Sequence, residues 1–437
     1  MSEARALLRR LFFTAVAAAH PDSCLAARLP APPRNGRLFV LAAGKAAGSM
    51  TAAAEQYYIE TLGLDPDRII GLAVARHGYG RPTRRVSMVE AGHPIPDASG
   101  VAATERTLEL AAQAGRDDLV LVLLSGGASA NWTAPAPGVS LADKQVVTRA
   151  LLLSGAAIGE INVVRKHLSL IKGGRLALQA QPARVVTLAI SDVSGDLPTV
   201  IGSGPTVGDP STLAEARAIT EKYRIALPPS VIRALSDPEN ETPKPDHPVF
   251  ANTEYRLVAR PRDAFTAAES TVHAAGYECV MLGDHLEGDA EACAAEHARL
   301  ARALQAQGRR AVILSGGELT VAVRGGGRGG PNQHYVLALA LALDGAPGIA
   351  ALAADTDGTD GGTGSPEDAA GAFIDPTTLA RARARGLDPA AFLSDNNSTD
   401  FFARLDDLLI TGPTFTNVND FRAILVDRPR PLREMRD

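Results

Sequence analysis

AVILSGGELTVAVRGGGRGGPNQHY, residues 311–335, is the stretch around which the rest of the chain is organised. An apolar run, Ala311 to Leu314, breaks at Ser315-Gly316-Gly317. A second, Leu319 to Val323, empties into Arg324-Gly325-Gly326-Gly327-Arg328-Gly329-Gly330. Pro331 follows, and Tyr335 to Leu343 is apolar and of helical length. Glycine lacks a Cβ, so such a loop can turn its amides toward an anion, and proline suits the first helical turn. A helix start facing a glycine loop with two arginines predicts a phosphate site; the plainer reading is a surface loop. Gly325, Gly327 and Gly330 also satisfy G-x-G-x-x-G, the outline of a dinucleotide site, although five glycines make that match nearly automatic.

Composition bounds the rest. A chain of 437 residues, 46% hydrophobic, predicts two or three domains, and a net charge of −5 gives no electrostatic case for nucleic acid. Cys24, Cys279 and Cys293 are odd in number and lack CxxC spacing, which suits a reducing compartment rather than disulfides or zinc. Six of the 44 basic residues are lysines, so a lysine inside a glycine motif stands out. Arg5, Arg9 and Arg10 before LFFTAVAAA imitate a signal peptide, but Ala6, Leu7, Phe13, Val16 and Ala17 fit one face of a helix in a cytoplasmic protein. No apolar run reaches the ~18 residues of a membrane span.

Taken in order, RLFVLAA (37–43) reads as a buried strand with Gly44-Lys45 at its end and an alanine-rich helix after it. Lys45 thus projects where open α/β sheets place their ligands. Phe39, five residues before Gly44, rules out a Walker A loop. Strands follow at 69–74 and 85–90, the latter leading to Gly92-His93-Pro94, where His93 reads as a turn or packing residue. LVLVLL (119–124) is continuously apolar, as buried parallel strands are, and ends in Ser125-Gly126-Gly127-Ala128-Ser129, suited to a carboxylate or phosphate. Residues 141–180 read as helical, with Arg165, Ser169 and Lys172 spaced to present two cations on one face. Strand 185–190 ends in Ser191-Asp192, a carboxylate of the kind Mg²⁺-assisted phosphoryl transfer uses.

Six prolines between 228 and 248 mark a domain boundary. Beyond it, strands 255–259 and 278–282 alternate with helices 263–275 and 289–307, which argues for a second α/β layer structure with parallel strands. Strand 349–353 runs into Asp355-Thr356-Asp357-Gly358-Thr359-Asp360, three close carboxylates that invite a cation, although Thr359 and Asp360 break the EF-hand pattern. The two Ser-Gly-Gly turns, at Ser125 and Ser315, make the halves echo each other.

AAGKAAGSM, HPIPDASG, LLSGGASA, RKHLSLIKGGRLA, SDVSGDLPTVIGSGPTVGDP, LSGGELTV, GRGGPNQ, DTDGTDGGTG and ITGPTFTNVND, in this order, resemble the glycerate 2-kinases of the MOFRL-domain family, some of which are called hydroxypyruvate reductase. The resemblance spans nearly the whole chain. It implies an α/β fold of two domains: a Rossmann-like N-terminal domain (1–235), a proline-rich linker (236–250), and a second, three-layer α/β domain (251–437) containing the MOFRL region at about 311–425. It places the active site in the cleft between them. It also implies ATP-dependent phosphorylation of D-glycerate at the 2-hydroxyl, with ATP and Mg²⁺ and with neither nucleic acid nor membrane as partner; a homodimer is allowed.

The implied catalytic residues are Lys45, Asp192 and Arg328. Where the family commonly has G-G-R-N-Q-E, this chain has Pro331 in place of the arginine and His334 in place of the glutamate, so the anion-binding role passes to Arg328 or Arg324. Ser125, Gly126, Gly127, Ser129, Arg165 and Lys172 are assigned to the substrate. Ser315, Gly316, Gly317, Glu318, Arg324, Gly329, Gly330 and Asn332 go to the nucleotide, and Asp192, Asp355, Asp357 and Asp360 to the metal. Asn131-Trp132 replace the small or aliphatic residues usual after the first Ser-Gly-Gly. The alternative readings are an NAD(P)H-dependent hydroxypyruvate reductase and a non-catalytic protein that binds a hydroxy acid or nucleotide.

Overall fold

The computed structural model describes residues 3–362 and 365–428, so Thr363 and Gly364 of the DTDGTDGGTG motif lie outside the described residues. The chain forms two compact units, one of residues 21–258 and one that joins residues up to His20 to those from Ala259 onward.

The first unit is built on strands β1 (Leu38–Ala43), β2 (Ile69–Arg76), β3 (Ser87–Ala91), β4 (Leu119–Leu124), β5 (Arg184–Ile190) and β6 (Thr253–Ala259), in the sheet order β3-β2-β1-β4-β5-β6. The pairings of β1 with β2 and β4, of β2 with β3 and of β4 with β5 are all parallel. Every residue of β1 and β4 is buried. Such burial requires cover on both faces, which is why these strands read as unbroken apolar runs. Residues 141–180 are three helices rather than one: Leu141–Leu153, Ile158–His167 and Arg175–Gln179. The breaks fall at Gly155 and at Gly173-Gly174, all with positive φ.

The proline-rich segment is not a linker; it is anchored to this unit. Thr242 donates to Asp209 Oδ2 (3.1 Å), Asn240 Nδ2 to the Ala234 carbonyl (3.0 Å), and the Asp209 amide to the Pro243 carbonyl (3.0 Å). His167 Nε2 meets Glu241 at 3.1 Å. Prolines fix φ and give up N–H donors, so this stretch lies on the body through side chains and carbonyls. The boundary falls at the end of β6, between Val258 and Ala259, later than the expected 250.

The second unit holds β7 (Glu278–Gly283), β8 (Gly288–Asp289), β9 (Ala311–Gly317), β10 (Leu319–Thr320), β11 (Ile349–Asp355), β12 (Ala369–Ile374), β13 (Leu408–Ile410) and β14 (Asp420–Val426). Its main sheet runs β13-β12-β11-β14-β9-β7. Within this sheet, among the described residues, β7 and β9, joined through the helix Ala290–Ala306, pair in parallel, as do β8 and β10 in a separate two-stranded ribbon; β9–β14, β14–β11, β11–β12 and β12–β13 are antiparallel. The expected parallel sheet is therefore corrected to a mixed one. The echo between the halves is local too, because β14 separates β9 from β11 whereas β4 and β5 are neighbours.

Helices Ala290–Ala306 and Pro331–Leu343 cover one face, and Glu3–Ala19 and Pro261–Ala274 the other, giving three layers. The first helix thus belongs here and not to the N-terminal domain. Its buried face is Leu7, Leu8, Leu11, Phe12, Ala15, Val16 and Ala19, with Phe13 exposed. Phe12 meets Phe421 edge-on at 6.0 Å, Arg5 pairs with Asp407 at 2.8 Å, and Thr416 donates to the Ala19 carbonyl at 2.7 Å.

Candidate active site

In the first unit the chain leaves β1 for β2 on one side and later returns to β4 on the other. Between two such strands the carboxyl ends open a crevice, where α/β sheets bind ligands. Gly44-Lys45 and Ser125-Gly126-Gly127 occupy those two ends. The Lys45 amide donates to the Gly126 carbonyl (2.8 Å), the Ala46 amide to Ser125 Oγ (2.9 Å), and the Ser125 amide to the Ala43 carbonyl (3.1 Å). Gly44 has φ +116°, and a Cβ there would lie 2.4 Å from Ser125 Oγ, so only glycine lets the two turns close on each other. A Cβ on Gly127 (φ +87°) would lie 3.0 Å from the His93 ring and 3.5 Å from Lys45 Cγ. His93, read from sequence as a turn or packing residue, therefore lies with Lys45 against the Gly127 backbone.

Arg165 and Lys172 converge, but not along a helix face. The helix ends at His167, and Ser169 Oγ accepts the amides of Ile171 (3.3 Å) and Lys172 (3.4 Å) in the turn that follows. That turn aims Lys172 Nζ at the Ser129 carbonyl (2.7 Å), which Arg165 reaches at 3.5 Å. The Ser129 hydroxyl bonds Ser203. A third cation, Lys144, missed by the sequence reading, is buried and donates from Nζ to the Leu168 carbonyl (2.9 Å). Burial, then Arg165, pulls Lys144 down to about 7; burial, Arg165 and Lys144 hold Lys172 well below the usual lysine range. Lys166 of the same motif is paired with Asp209 at 3.1 Å. Asp192, half-buried, stands two residues beyond the end of β5.

In the second unit the glycine loop is arranged differently from the expected anion cradle. Asn396 Oδ1 accepts the amides of Arg324 (2.7 Å) and Gly325 (3.0 Å), Asp395 Oδ1 that of Gly326 (3.2 Å), the Asp395 carbonyl that of Gly327 (3.0 Å), and Asn397 Oδ1 that of Arg328 (3.1 Å). The polar loop Asp395–Asn397 takes the donors an anion would need, so these glycines allow close packing. A Cβ on Gly327 would sit 2.3 Å from Asn397 Cβ, one on Gly329 2.1 Å from Ser398 Oγ and one on Gly330 2.3 Å from Asp360 Oδ1.

The helix Pro331–Leu343 does face an anion, but one supplied by the chain. Asp360 Oδ1 accepts the Asn332 amide (3.0 Å) and Oδ2 the Gln333 amide (2.8 Å), with Asn332 Nδ2 and Gln333 Nε2 adding to the cap. Asp360 is thus turned to the helix start rather than toward a metal, and Asn332, also bonded to Asp420 at 2.6 Å, belongs to this cap. Burial raises Asp360 to about 6 and Asp420 to about 7, against the pull of Arg422 on Asp420. Arg422 pairs with Asp420 at 3.0 Å and donates to Ser315 Oγ and to the carbonyls of Gly316 and Gly317, so the second Ser-Gly-Gly turn is braced from within.

Glu318 is exposed beside that turn. Arg324 and Arg328 are exposed and paired with Glu291 (3.5 Å) and Asp400 (2.6 Å). Asp355 accepts the Asp357 amide (3.0 Å) and Asp357 the Thr359 amide (2.7 Å), each carboxylate bridging its own turn. Among the described residues no group of three or more His, Cys, Asp or Glu is arranged to hold a metal ion. Magnesium asks for less: one or two carboxylates plus phosphate oxygens and waters. Asp192 in the first unit, or the Asp355–Asp357 pair in the second, is a donor set of that size; Asp360, turned to its helix, is not.

Residues 7–236 match the family described as a domain of unknown function, DUF4147, and residues 311–420 match the MOFRL family. The chain is a member of the two-domain glycerate kinase family defined by that pairing. It is 40% identical over 410 residues to the D-glycerate 2-kinase of Thermotoga maritima, covering 93% of this chain and 94% of that one. A crystal structure of glycerate kinase from the same organism superposes with a TM-score of 0.83 at 38% identity, over 96% of this chain and 99% of that one. An Agrobacterium vitis protein named putative hydroxypyruvate reductase is 47% identical over 430 residues, 97% of this chain and 94% of that one.

Proposed function

We propose that this chain is a glycerate 2-kinase, transferring the γ-phosphoryl group of ATP to the 2-hydroxyl of D-glycerate and releasing ADP and 2-phosphoglycerate. The observation that carries this reading is the interlock of Gly44-Lys45 with Ser125-Gly127 at the switch point, next to the paired donors of Arg165 and Lys172. A lysine beside a carboxylate-binding turn suits phosphorylation of a small hydroxy acid.

In this reading Arg165, Lys172 and the Ser125–Ser129 turn hold the carboxylate, which fixes the 2-hydroxyl. The hydroxyl oxygen forms the new bond to phosphorus, the bond from phosphorus to the β–γ bridging oxygen breaks, and the hydroxyl proton leaves toward Asp192 or His93. Lys45 offsets the charge on the phosphoryl oxygens, where a preorganised cation acts most strongly. Mg²⁺, when bound, would neutralise phosphate charge; Asp192 would hold it in the first unit, and the Asp355–Asp357 pair is the candidate holder in the second. In the second unit Arg324 and Arg328 are exposed cations that could meet an anion there, each by exchanging its present acid. Cysteines outside any disulfide support a cytoplasmic setting, and no helix among the described residues is long and apolar enough to cross a membrane.

The reductase reading loses its one sequence motif. The amides of Gly325 and Gly327 are bonded within the chain, so this G-x-G-x-x-G offers no pyrophosphate cradle. The test is product analysis: ATP, Mg²⁺ and D-glycerate should give ADP and 2-phosphoglycerate in equal amounts, the latter distinguished from 3-phosphoglycerate by its phosphorus resonance. Accumulation of 3-phosphoglycerate, or ATP hydrolysis without a phosphoglycerate, would defeat the proposal.

A further inference from the structure

Three cations of the first unit share an unusual setting. Lys144 and Lys172 are 6% and 1% exposed, and Arg165 is half-buried beside them. Their acceptors are two backbone carbonyls, Leu168 for Lys144 and Ser129 for both Lys172 and Arg165, together with the Asn162 side chain for Arg165 at 3.3 Å. The two carbonyl-bearing segments are brought side by side where Pro135 bridges Ser169, the Ala136 amide donates to the Leu168 carbonyl and the Leu170 amide to the Ala134 carbonyl. Among the described residues no carboxylate forms an ion pair with any of the three. Lys166, equally buried and adjacent to Arg165 in sequence, does have one, in Asp209.

Charges are seldom kept away from water without a counter-charge, because desolvation costs several kcal/mol per ion. Each lysine ammonium carries three donors, and one carbonyl leaves donors over. Mutual repulsion is already felt, since Arg165 depresses both lysines and Lys144 depresses Lys172. An anion entering this group would satisfy the spare donors and relieve the repulsion together.

We propose that Lys144, Arg165 and Lys172 form one anion site for the carboxylate of the hydroxy acid, and that Lys144 is a specificity-determining residue within it. The proposal rests on the kinase reading and extends it to a residue that reading does not use. Lys144 acts through charge, by drawing the carboxylate in, and not through the transferring phosphoryl group. Its loss should fall on acid affinity alone.

Lys144→Gln retains an N–H donor for the Leu168 carbonyl and removes the charge, whereas Lys144→Arg keeps the charge. Loss of one charge-assisted contact raises KM for D-glycerate about tenfold or more in Lys144→Gln, with kcat and the KM for ATP within about threefold, and Lys144→Arg recovers most of the loss. Calorimetric titration with D-glycerate in the absence of ATP should show the same fall in affinity. Unchanged D-glycerate affinity in Lys144→Gln overturns the proposal, as does an equal loss in Lys144→Gln and Lys144→Arg. So does a variant that loses binding of inorganic phosphate, titrated in parallel, but keeps that of D-glycerate. If Lys144→Gln does not melt cooperatively, the wild-type protein decides: glyceramide, which lacks the carboxylate charge, should bind at least about tenfold more weakly than D-glycerate, and equal binding overturns the proposal. Absence of ADP formation by the wild type would instead defeat the kinase reading, while the titration still reads this site.

Discussion

In the proposed mechanism Lys45 meets the transferring phosphoryl group, and its position follows from Gly44. A residue other than glycine at φ +116° would strike Ser125, so the lysine is presented by a turn that its neighbour alone permits. Lys45→Ala should lower kcat about 100-fold or more while thermal melting stays close to that of the parent, because the side chain contributes charge at the reacting phosphate and its amide bond to Gly126 is unaffected. Near-normal turnover would remove Lys45 from the mechanism. The lysine was legible in the sequence because it followed an unbroken apolar strand. Lys144 was not: on an amphipathic helix a lysine reads as part of the solvated face, and only the turn at Leu168 reveals what it approaches. His93 was hidden similarly, since nothing in HPIPDASG tells that its ring rests on Gly127.

Among the elements, the strand–glycine loop–helix unit was visible, but its ligand was not. The helix start attracts an anion as expected, and that anion is Asp360, more than two dozen residues downstream, a distance that periodicity does not report. Asp360→Ala should destabilise the second unit by about 3 kcal/mol, from a lost cap and two orphaned buried amides, measured by denaturant unfolding. The pair also sets a pH dependence. Asp360 at about 6 and Asp420 at about 7 lie above the 3.8 of an exposed carboxyl, so the folded chain holds protons that the unfolded chain releases. Their stabilising contribution is complete below pH 3.8 and is lost as the pH rises through 6 to 7. Between about pH 5 and about pH 8 the melting temperature of this unit should fall, and Asp420→Asn should flatten the fall. A rise with pH in this unit would contradict the assignment.

Strands β12 and β14 escaped the sequence reading for a physical reason. AAGAFI is short and opens on four residues that are alanine or glycine, and DFRAILV carries Arg422, whose buried charge, balanced by Asp420 and by carbonyls, breaks the apolar pattern. Without those two strands the neighbouring run of strand and helix looks parallel throughout. β4, continuously apolar and bounded by turns, was placed to the residue.

At the scale of the molecule, the division into two units is not the one suggested by proline content. Residues 236–250 lie packed on the first unit, and the N-terminal helix completes the second by covering β11 and β14. Phe12→Ala should therefore cost about 3–5 kcal/mol and weaken hydrogen-exchange protection in β11 and β14, leaving β1 and β4 as protected as before. Loss of protection in β1 and β4 instead would return the helix to the N-terminal domain.

Kinase and reductase are separated by two assays on one preparation of the purified chain: ADP formation from ATP, Mg²⁺ and D-glycerate, and NADH oxidation with hydroxypyruvate. A glycerate 2-kinase gives steady ADP formation dependent on D-glycerate and no NADH oxidation above background. NADH consumption with hydroxypyruvate, without ADP formation, would contradict the kinase reading.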